Sequence, residues 1–455
     1  MPINWKEVYY LFKKRSSFNG GIHPPYSKGL TKEKVTEICK VPQLVTIPLQ
    51  QHIGAPCQSL VNKGDKVFLG QKIGEPRGYV SAPVHSSVSG VVKSIVTVDL
   101  PTGIKSTAII IENDGNDTPD PSIMPGKIED YSREELNNIV MESGVVGMGG
   151  ATFPTHVKLS PPSDRTIDTI ILNGSECEPY LTSDYRLMLE NPDDVIYGLR
   201  VIMKILDVSK GYIGIEDDKT DAIEAITSAI GNESGIQVVK LRAKYPQGAE
   251  KQMIQVILGR EVPSGGLPMD VGTEVNNVGT AAAIANAVKT GMPLYQLIVT
   301  VSGGAVREPK NVLVRLGTSF KDVIDFCGGW TEEPDKVIAG GPMMGHAQHT
   351  LDVPVIKGTS GILLFTGKEA VFEEPSNCIR CSRCVEVCPV RLAPLYISAH
   401  SLKGNMEEAE KLNAMDCIEC GCCSYICPAY RPLLPSIQVA KKDIIATRKR
   451  QAQTK

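Results

Sequence analysis

Two cysteine runs near the end of the chain constrain its fold more strongly than any other feature. Each run has the spacing C-x₂-C-x₂-C-x₃-C-P, the first ending at Cys388-Pro389 and the second at Cys427-Pro428. This spacing is typical of paired [4Fe–4S] clusters, in which one run supplies three thiolates and the other supplies the fourth. The sequence therefore predicts one cluster held by Cys378, Cys381, Cys384 and Cys427. It predicts a second cluster held by Cys417, Cys420, Cys423 and Cys388.

The main alternatives for these thiols are zinc and disulfide bonds. Structural zinc sites use four ligands, usually as two separated pairs, whereas each run here supplies four cysteines and a trailing proline. A disulfide framework is typical of short secreted chains with a signal peptide. Residues 1–15 lack the apolar core of such a peptide, so we expect a reducing compartment. Cys422 has no place in the pattern, and the remaining cysteines are expected to be buried thiols: Cys39, Cys57, Cys177 and Cys327.

The composition is that of a globular protein with several domains. Of its 455 residues, 42% are hydrophobic and 22% are charged, and the net charge of −3 gives no electrostatic case for binding nucleic acid. No apolar run reaches the ~18–20 residues that a membrane span requires, so no direct span is expected. The first residues have the spacing of a short amphipathic helix, which would pack on its own protein or dock on a partner or a membrane: Trp5, Val8, Tyr9, Leu11 and Phe12.

The section up to about residue 125 has the pattern of short strands joined by turns. Runs that favour β structure lie at 45–49, 66–68 and 90–95. The segment 61–74 is similar to the hairpins of the small domains that carry biotin or lipoate. Those carriers place a modifiable lysine on an exposed turn, but the matching stretch here, 82–90, contains no lysine. We therefore expect a structural barrel and not a carrier domain.

Residues 130–290 alternate between strand and helix patterns. One helix is predicted from Pro192 to Leu206, with Asn191 as its N-cap and two aspartates in its first turn. The other predicted elements are strands at 169–172, 211–215 and 237–241 and helices at 221–230 and 247–258. This alternation predicts an α/β domain with a mainly parallel sheet. Short strands and glycine-rich turns return at 296–350, and the basic stretch 441–455 is expected to be a solvated tail.

A glycine-rich loop at 144–158 is the second informative motif. It contains Gly147, Gly149 and Gly150 and runs into Pro154. A dinucleotide-binding fingerprint should follow a strand and open a helix. This loop instead follows a helix-like segment at 133–141, so we reject that interpretation. Glycines at this density let backbone N–H groups approach a phosphate or a flat ring closely.

A polar segment after the strand at 169–172 is the second part of the same candidate site. It runs from Asn173 to Pro179 and contains Glu176 and Glu178. Ligands of open α/β sheets bind beyond the carboxyl ends of the strands. Two carboxylates there could accept hydrogen bonds from ribose or ribityl hydroxyls. Taken alone, the segment is also consistent with a solvated acidic turn.

Together these motifs resemble the flavin-binding subunit of respiratory complex I and, more closely, the C subunits of Rnf electron-transport complexes. The resemblance rests on 147–158, on 173–179 and on Val275-Asn276-Asn277-Val278, and it extends from Gly20-Gly21-Ile22-His23-Pro24-Pro25 to the paired cysteine runs. It implies an α/β and α+β multidomain fold. The implied domains are an N-terminal β barrel-sandwich (1–125), a central FMN/NAD(H)-binding α/β domain (126–292), a β-grasp, SLBB-like domain (293–370) and a helical two-[4Fe–4S] ferredoxin-like domain with the basic tail (371–455).

The resemblance also implies a set of cofactor-binding residues. The phosphate side of FMN would be held by Gly147, Gly149, Gly150 and Lys158. The flavin's polar chain and ring would be bound by Asn173, Glu176, Glu178, Asn276 and Asn277, with Phe153 near the nucleotide. Glu178 and Glu250 are the candidate catalytic residues, since Glu250 stands where the complex I subunit has acids near the nicotinamide. Two positions depart from that subunit: Met148 replaces a basic residue and Ser175 replaces an aspartate.

The implied function is exchange of electrons between NAD(H), as substrate, and a ferredoxin-type pool through FMN and two [4Fe–4S] clusters. The chain would be a peripheral subunit on the cytoplasmic face of the cell membrane. Its partners would be the other subunits of an Rnf-type complex, including an iron–sulfur subunit, with ferredoxin reached only indirectly. One alternative is a soluble flavin/iron–sulfur reductase such as a cobalamin reductase. Another is a flavin-free electron-wire subunit, which Met148 and Ser175 keep open.

Overall fold

The computed structural model describes residues 17–453 of the chain. The expected amphipathic helix at residues 5–12 lies outside them. The expected order of a β-rich section, an α/β section, a second β-rich section and a helical cysteine section is confirmed. Among the described residues, no helix combines the length and the apolar character needed to cross a membrane.

The first section contains two small antiparallel sheets. Its strands are β1 (Glu37–Ile38), β2 (Leu44–Pro48), β3 (Gln58–Ser59), β4 (Lys66–Val67), β5 (Lys72–Glu75), β6 (Val84–His85), β7 (Gly90–Asp99) and β8 (Lys105–Asn113). The sheet orders are β2-β8-β7-β4 and β3-β5-β6. Strands β2, β4 and β7 coincide with the predicted runs. Strand β1 belongs elsewhere, because it pairs in parallel with a strand of the second β-rich section.

The α/β section has a four-stranded parallel sheet. Its strands are β9 (Thr169–Asn173), β10 (Gly211–Glu216), β11 (Ile236–Leu241) and β12 (Thr273–Asn277), in the order β11-β10-β9-β12. Its helices are α1 (Arg133–Glu142), α2 (Thr155–Lys158), α3 (Ser183–Glu190), α4 (Pro192–Leu206), α5 (Thr220–Ile230), α6 (Glu250–Leu258) and α7 (Val278–Thr290). The predicted parallel sheet is therefore confirmed.

Two local predictions in this section need correction. Helix α4 begins at Pro192 as predicted, but the Asn191 side chain makes no capping hydrogen bond. Asn191 also ends α3, where its backbone N–H donates to the Leu187 carbonyl. Helix α6 begins at Glu250 and not at Gln247, because the N–H groups of Gln247 and Ala249 donate within a turn, to Lys244 and Pro246.

The second β-rich section is a mixed sheet with one helix. Its strands are β13 (Gln296–Ser302), β14 (Lys310–Arg315), β15 (Lys336–Ala339), β16 (His346–Gln348) and β17 (Gly361–Phe365), and its helix is α8 (Phe320–Phe326). With β1 added at its edge, the sheet has the order β1-β14-β13-β17-β15-β16. One hydrophobic core contains Ile47 and Ile109 of the first section together with Val299 and Phe320 of this one. The two β-rich sections are thus packed as a single body.

The cysteine section is helical. Its helices are α9 (Arg383–Glu386), α10 (Pro394–Leu402), α11 (Met406–Lys411), α12 (Cys422–Tyr425) and α13 (Leu433–Gln453). The expectation of a solvated tail from residue 441 is wrong for the first part of that stretch. Ile437, Ala440 and Ile444 recur at helical spacing and are buried in the small core of this section. The Lys441 ammonium donates to the Cys417 carbonyl at 2.7 Å. Short 3₁₀ helices occur at Lys28–Leu30, Ile128–Asp130, Pro268–Val271 and Ala414–Asp416.

Candidate functional site

Four of the predicted ligand thiols surround one cavity at the surface of the cysteine section. The cavity has a volume of about 90 Å³, and its lining includes Cys378, Cys381, Cys384 and Cys427. Cys378 and Cys381 are exposed, whereas Cys384 is buried. Within residues 17–453, no group of three or more His, Cys, Asp or Glu side chains is arranged closely enough to hold a single metal ion. A ring of thiols around a cavity suits a multi-iron cluster, and this ring combines three thiols of one run with one thiol of the other. The assignment of these four as the ligands of one cluster stays a prediction.

The other four thiols form a more buried group. Cys420 and Cys423 are buried, and Cys388 and Cys417 are half-buried against the helical core. Burial, together with the neighbouring thiols of Cys417, Cys420 and Cys388, raises the pKa of the Cys423 thiol to about 12. Four thiols so close together lose their protons only beside a strong positive charge, such as a metal cluster provides. Backbone N–H groups donate to sulfur in this group, from Leu392 to Cys388 at 3.3 Å and from Glu419 to Cys417 at 3.4 Å.

The buried thiol group contacts the α/β section through Tyr245. The Tyr245 side chain is fully buried, and its hydroxyl donates to the Cys420 carbonyl at 2.7 Å. Cys422, for which the sequence suggests no role, is buried with Ile22 and Tyr245 in the same apolar cluster. A hydrogen bond between the Cys422 and Cys420 side chains lowers the pKa of Cys420.

The Gly20-Gly21-Ile22 segment fills the gap between these two sections. Gly21 donates to the Val387 carbonyl at 2.8 Å, and Ile22 forms an antiparallel bridge with Tyr245. Gly20 has a φ of +79°, and a Cβ there would lie 2.8 Å from the Cys388 carbonyl oxygen. Glycine is therefore required at position 20 by both backbone conformation and close packing.

The candidate flavin site lies at the carboxyl ends of β9 and β12. These strands are neighbours, and their register sets Asn173 opposite Asn277. The Asn173 amide donates to the Gly248 carbonyl at 2.8 Å. The Asn277 side-chain carbonyl caps α7 by accepting from Gly279 at 2.7 Å, while its amide donates to Asp184 at 2.6 Å. Asn276 is buried, and both of its amide atoms lack a partner.

Glu176 serves a structural purpose in this site. One of its carboxylate oxygens accepts from the Asp184 N–H at 2.8 Å, and the other accepts from Tyr185 at 3.2 Å. Both donors belong to the first turn of α3, where a negative charge is favoured by the helix dipole. Its backbone φ is +46°. The predicted role of Glu176 toward the flavin stays a prediction beside this capping role.

Glu178 is placed differently. Its Oε2 accepts from the Met343 N–H at 3.1 Å, in a loop of the β-grasp section, and its Oε1 is buried without a partner. Burial raises the pKa of this carboxyl from 4.5 to about 7, although the Met343 and Met344 N–H groups act to lower it. Glu178 is thus a buried acid close to neutrality, with one oxygen available to a ligand.

The glycine loop lies against the start of α7. Val146 and Pro154 form an antiparallel bridge, Gly147 donates to the Phe153 carbonyl at 2.8 Å, and Met148 donates to the Thr280 hydroxyl at 2.9 Å. Gly149 and Gly150 are exposed, and Phe153 is half-buried. A Cβ on Gly149 would lie 2.9 Å from the Asn277 amide nitrogen, whereas one on Gly150 would meet no atom within 4 Å. The loop is therefore packed on the asparagine side and open on the other.

Lys158 and Glu250 meet in an ion-pair network behind the loop. The Lys158 ammonium lies 2.9 Å from Glu274 and 3.4 Å from Glu250, and it donates to the Val275 carbonyl at 2.5 Å. Burial disfavours the charged form, but the two glutamates outweigh it and raise the pKa of Lys158. The predicted phosphate contact of Lys158 and the predicted catalytic role of Glu250 both stay predictions, since the two side chains are paired with each other here.

The residues around the strand ends fit a polar ligand such as FMN. Buried polar groups in folded proteins almost always have hydrogen-bond partners, so a group of unpartnered ones indicates a ligand. The buried atoms without a partner in this region include Ser175 Oγ, Glu178 Oε1, both amide atoms of Gln247 and both amide atoms of Asn276. They offer donors and acceptors beside a loop whose glycines are open to a phosphate or a ring. Gln247, Tyr245 and Asp184 were not predicted from the sequence, since no local motif marks them.

Comparison with known families covers most of the chain. The family model of the RnfC barrel sandwich hybrid domain matches residues 16–116, and that of the Nuo51 FMN-binding domain matches 140–286. The SLBB domain matches 298–347, and the 4Fe-4S dicluster domain matches 370–428. The chain thus contains an FMN-binding domain and a dicluster domain in the expected order. The dicluster match confirms the prediction of iron–sulfur clusters over the zinc alternative.

Three relatives match nearly end to end. The C subunit of the Na(+)-translocating ferredoxin:NAD(+) oxidoreductase complex of Acetobacterium woodii is 54% identical over 438 residues, 96% of this chain and 99% of the relative. The C subunit of the proton-translocating ferredoxin:NAD(+) oxidoreductase complex of Clostridium ljungdahlii is 53% identical over 402 residues, 88% of each chain. The C subunit of the ion-translocating oxidoreductase complex of Rhodobacter capsulatus is 42% identical over 450 residues, 97% of this chain and 86% of the relative. The chain therefore belongs to the RnfC family, the C subunits of ion-translocating oxidoreductase complexes.

Proposed function

We propose that this chain is the NAD(H)-linked subunit of a membrane ion-translocating ferredoxin:NAD⁺ oxidoreductase. It exchanges electrons with NAD(H) at the FMN site and passes them through two [4Fe–4S] clusters. Two of the relatives are named as C subunits of ferredoxin:NAD(+) oxidoreductase complexes. Together with the FMN-binding and dicluster domains, those names support the assignment.

One observation carries the proposal: a single segment, Tyr245–Gln252, contacts both the candidate flavin site and the section that holds the buried thiol group. Tyr245 precedes the Gly248 turn, whose carbonyl accepts from Asn173 of the flavin site, and its hydroxyl donates to the Cys420 carbonyl. On the other side of the turn, Gln252 donates to the Pro389 carbonyl at 3.2 Å, next to Cys388. Electron transfer needs its donor and acceptor close together. This packing holds the candidate flavin site next to the buried thiol group.

A bound flavin accepts two electrons as a hydride and releases them singly, so it links a nucleotide to one-electron clusters. The chain's own residues bind, orient and shield that group. Asn276 and Gln247 supply unpartnered amide atoms, and the glycine loop supplies backbone N–H groups. Glu178 offers a buried carboxyl that can hold or release a proton near neutral pH, since its pKa is about 7. We assign Glu178 and Glu250 as the candidate catalytic residues.

The two thiol groups differ in burial, and this difference suggests their order in the path. The buried group contacts the α/β section, so we place its cluster next to the flavin. The outer group has Cys378 and Cys381 exposed, so we place its cluster at the surface that meets the next protein. We propose that the next protein in the electron path is an iron–sulfur subunit of the same complex. We also propose that the chain described here lies peripherally on the cytoplasmic face of the membrane. The divisions at residues 125, 292 and 370 are proposed as functional boundaries, except that β1 belongs with the β-grasp sheet.

The test is an anaerobic purification of the full chain, followed by assays of iron, acid-labile sulfide, flavin and NADH-dependent dye reduction. The proposal expects about eight iron and eight sulfide per chain, from two cubane clusters, together with FMN and NADH activity. Iron and sulfide without flavin would instead indicate an electron-wire subunit. Zinc in place of iron would refute the proposal, because a zinc site cannot carry electrons.

A further inference from the structure

A buried lysine without a counter-ion lies at the start of the glycine loop. Lys357 is 1% exposed, and its ammonium donates to the Gly144 carbonyl at 2.6 Å and to the Pro83 carbonyl at 2.7 Å. In the part of the chain that the structure describes, its ammonium has no carboxylate partner within ion-pair distance. A buried charge is costly unless its surroundings compensate it, so an ammonium in this position calls for an explanation.

The lysine joins three sections that are far apart in sequence. Gly144 begins the glycine loop, Pro83 lies in the barrel-sandwich section, and Lys357 itself belongs to the β-grasp section. The backbone N–H of Lys357 donates to the Gln51 side chain of the barrel at 3.2 Å. A Cβ on Gly144 would lie 2.7 Å from the ammonium, so the loop approaches the lysine as closely as a glycine allows.

The far side of the glycine loop is held by the same two sections. The barrel's Ile53 N–H donates to the Thr152 carbonyl at 3.3 Å. Gly358, next to Lys357, packs so closely on the loop that a Cβ there would lie 2.5 Å from the Thr152 methyl. The barrel and the β-grasp sheet share one hydrophobic core. Both ends of the loop thus rest on a single rigid body.

We propose that Lys357 is a positioning residue for FMN binding, and that the barrel-sandwich section acts as an internal clamp for the glycine loop. The ammonium ties the start of the loop to the barrel, and the Ile53 and Gly358 contacts fix its end. This inference rests on the proposed FMN site. It gives a role to a section that resembles a carrier domain but has no lysine in the stretch 82–90, where carriers have the modified lysine.

The charge of this lysine can be tested separately from its packing. Burial lowers the pKa of Lys357 to about 8, with Cys57 acting in the opposite direction. The titratable groups that face it are Cys57, His52 and His85. Burial and the lysine lower the pKa of His52 to about 4 and that of His85 well below its usual range, while burial raises that of Cys57. Within this pocket, the ammonium is therefore the group that changes charge between about pH 7 and pH 9.

The experiment measures the FMN dissociation constant by fluorescence titration of the full, cluster-loaded chain after its flavin has been removed. The wild type is compared with Lys357→Met and Gly358→Ala at about pH 7 and about pH 9. The matched control is Lys310→Met, which removes another buried lysine of the β-grasp section, one paired with Glu37 and Glu308. Iron content and thermal midpoint are recorded for each protein.

We expect Lys357→Met to bind FMN about tenfold more weakly at neutral pH. Gly358→Ala, which leaves the lysine intact, should also weaken binding. Wild-type affinity should fall as pH rises through about 8, and this fall should be absent in Lys357→Met. Lys310→Met should bind as the wild type does, with the same pH dependence.

The outcomes separate the inference from the proposed function. If the wild type binds no FMN, the proposed function fails. If the wild type binds FMN and Lys357→Met binds equally well, only the clamp is refuted. If Lys357→Met does not fold, the decision passes to Gly358→Ala and to the wild-type pH dependence. Unchanged affinity in both of these would overturn the inference.

Discussion

Replacing Glu178 by glutamine should make the chain more stable while impairing its activity. The carboxyl is buried beside Met343, and burial raises its pKa from 4.5 to about 7. At a pH between these two pKa values, the Glu178 carboxyl is protonated in the native chain and deprotonated in the unfolded chain. The native state is therefore destabilised progressively as pH rises through this interval, and the full cost is present above pH 7. Glutamine has nearly the shape of the protonated acid and carries no charge at any pH.

The size of the effect follows from the same two values. At about 1.4 kcal/mol for each pKa unit, a rise from 4.5 to about 7 corresponds to at most about 3.5 kcal/mol. For a domain of about 150–250 residues, each kcal/mol of unfolding free energy moves the thermal midpoint by about 2–4 °C. We therefore expect Glu178→Gln to raise the midpoint of the flavin-free chain by several degrees at about pH 8.5, with almost no change at about pH 4.5. NADH-dependent dye reduction should fall, and iron content should stay the same.

Glu176→Gln is the matched control, because Glu176 is two positions away and its carboxylate caps α3. Removing that charge should lower the midpoint at pH 8.5, by the equivalent of about 0.5–2 kcal/mol. Anaerobic scanning calorimetry at both pH values measures all three proteins. A lower midpoint for Glu178→Gln at pH 8.5 would refute the reasoning, and loss of iron would show that Glu178 supports the cluster section instead.

Three further predictions concern the cysteine section. Tyr245→Phe removes the hydrogen-bond donor to the Cys420 carbonyl. It should lower the midpoint potential of the buried cluster by about 40 mV, the equivalent of about 1 kcal/mol. A redox titration followed by electron paramagnetic resonance should show this shift, with the potential of the outer cluster unchanged. Cys381→Ser should remove the outer cluster and about half of the iron while FMN content is retained, and loss of both clusters would contradict separate sites. Gly20→Ala strains a residue at φ +79° against Cys388 and should loosen the cysteine section, seen as faster limited proteolysis with FMN affinity unchanged.

The sequence predicted those strands whose apolar residues lie close together along the chain, and it missed elements whose burial depends on distant partners. Strands β9, β10 and β11 are short apolar runs, and all three were predicted within a residue or two. Strand β12 was missed because its Thr273-Glu274-Val275-Asn276-Asn277 sequence is mostly polar, although four of these side chains are buried. Its burial comes from pairing with β9, which lies about a hundred residues earlier. Helix α7 was missed as well, since its many alanines give weak contrast between its faces.

The candidate site was predictable to a similar degree. The cysteine spacing and the resemblance of the flavin motifs supplied the candidate ligand residues without any tertiary information. The same information could not show that Glu176 caps a helix or that Lys158 is already paired, since both depend on partners elsewhere in the chain. Tyr245 and Lys357 carry no motif at all. Their roles arise where sections distant in sequence meet.

The Gly20–Ile22 segment also has a consequence for biosynthesis. Its hydrogen-bond partner Val387 follows it by more than three hundred residues and is therefore synthesised much later. Contacts of such long sequence separation form late, because much of the chain must be ordered before they can close. Until then, the apolar surface around Ile22, Tyr245 and Cys422 stays uncovered. We therefore expect this segment to close late in folding, after the cysteine section has been ordered.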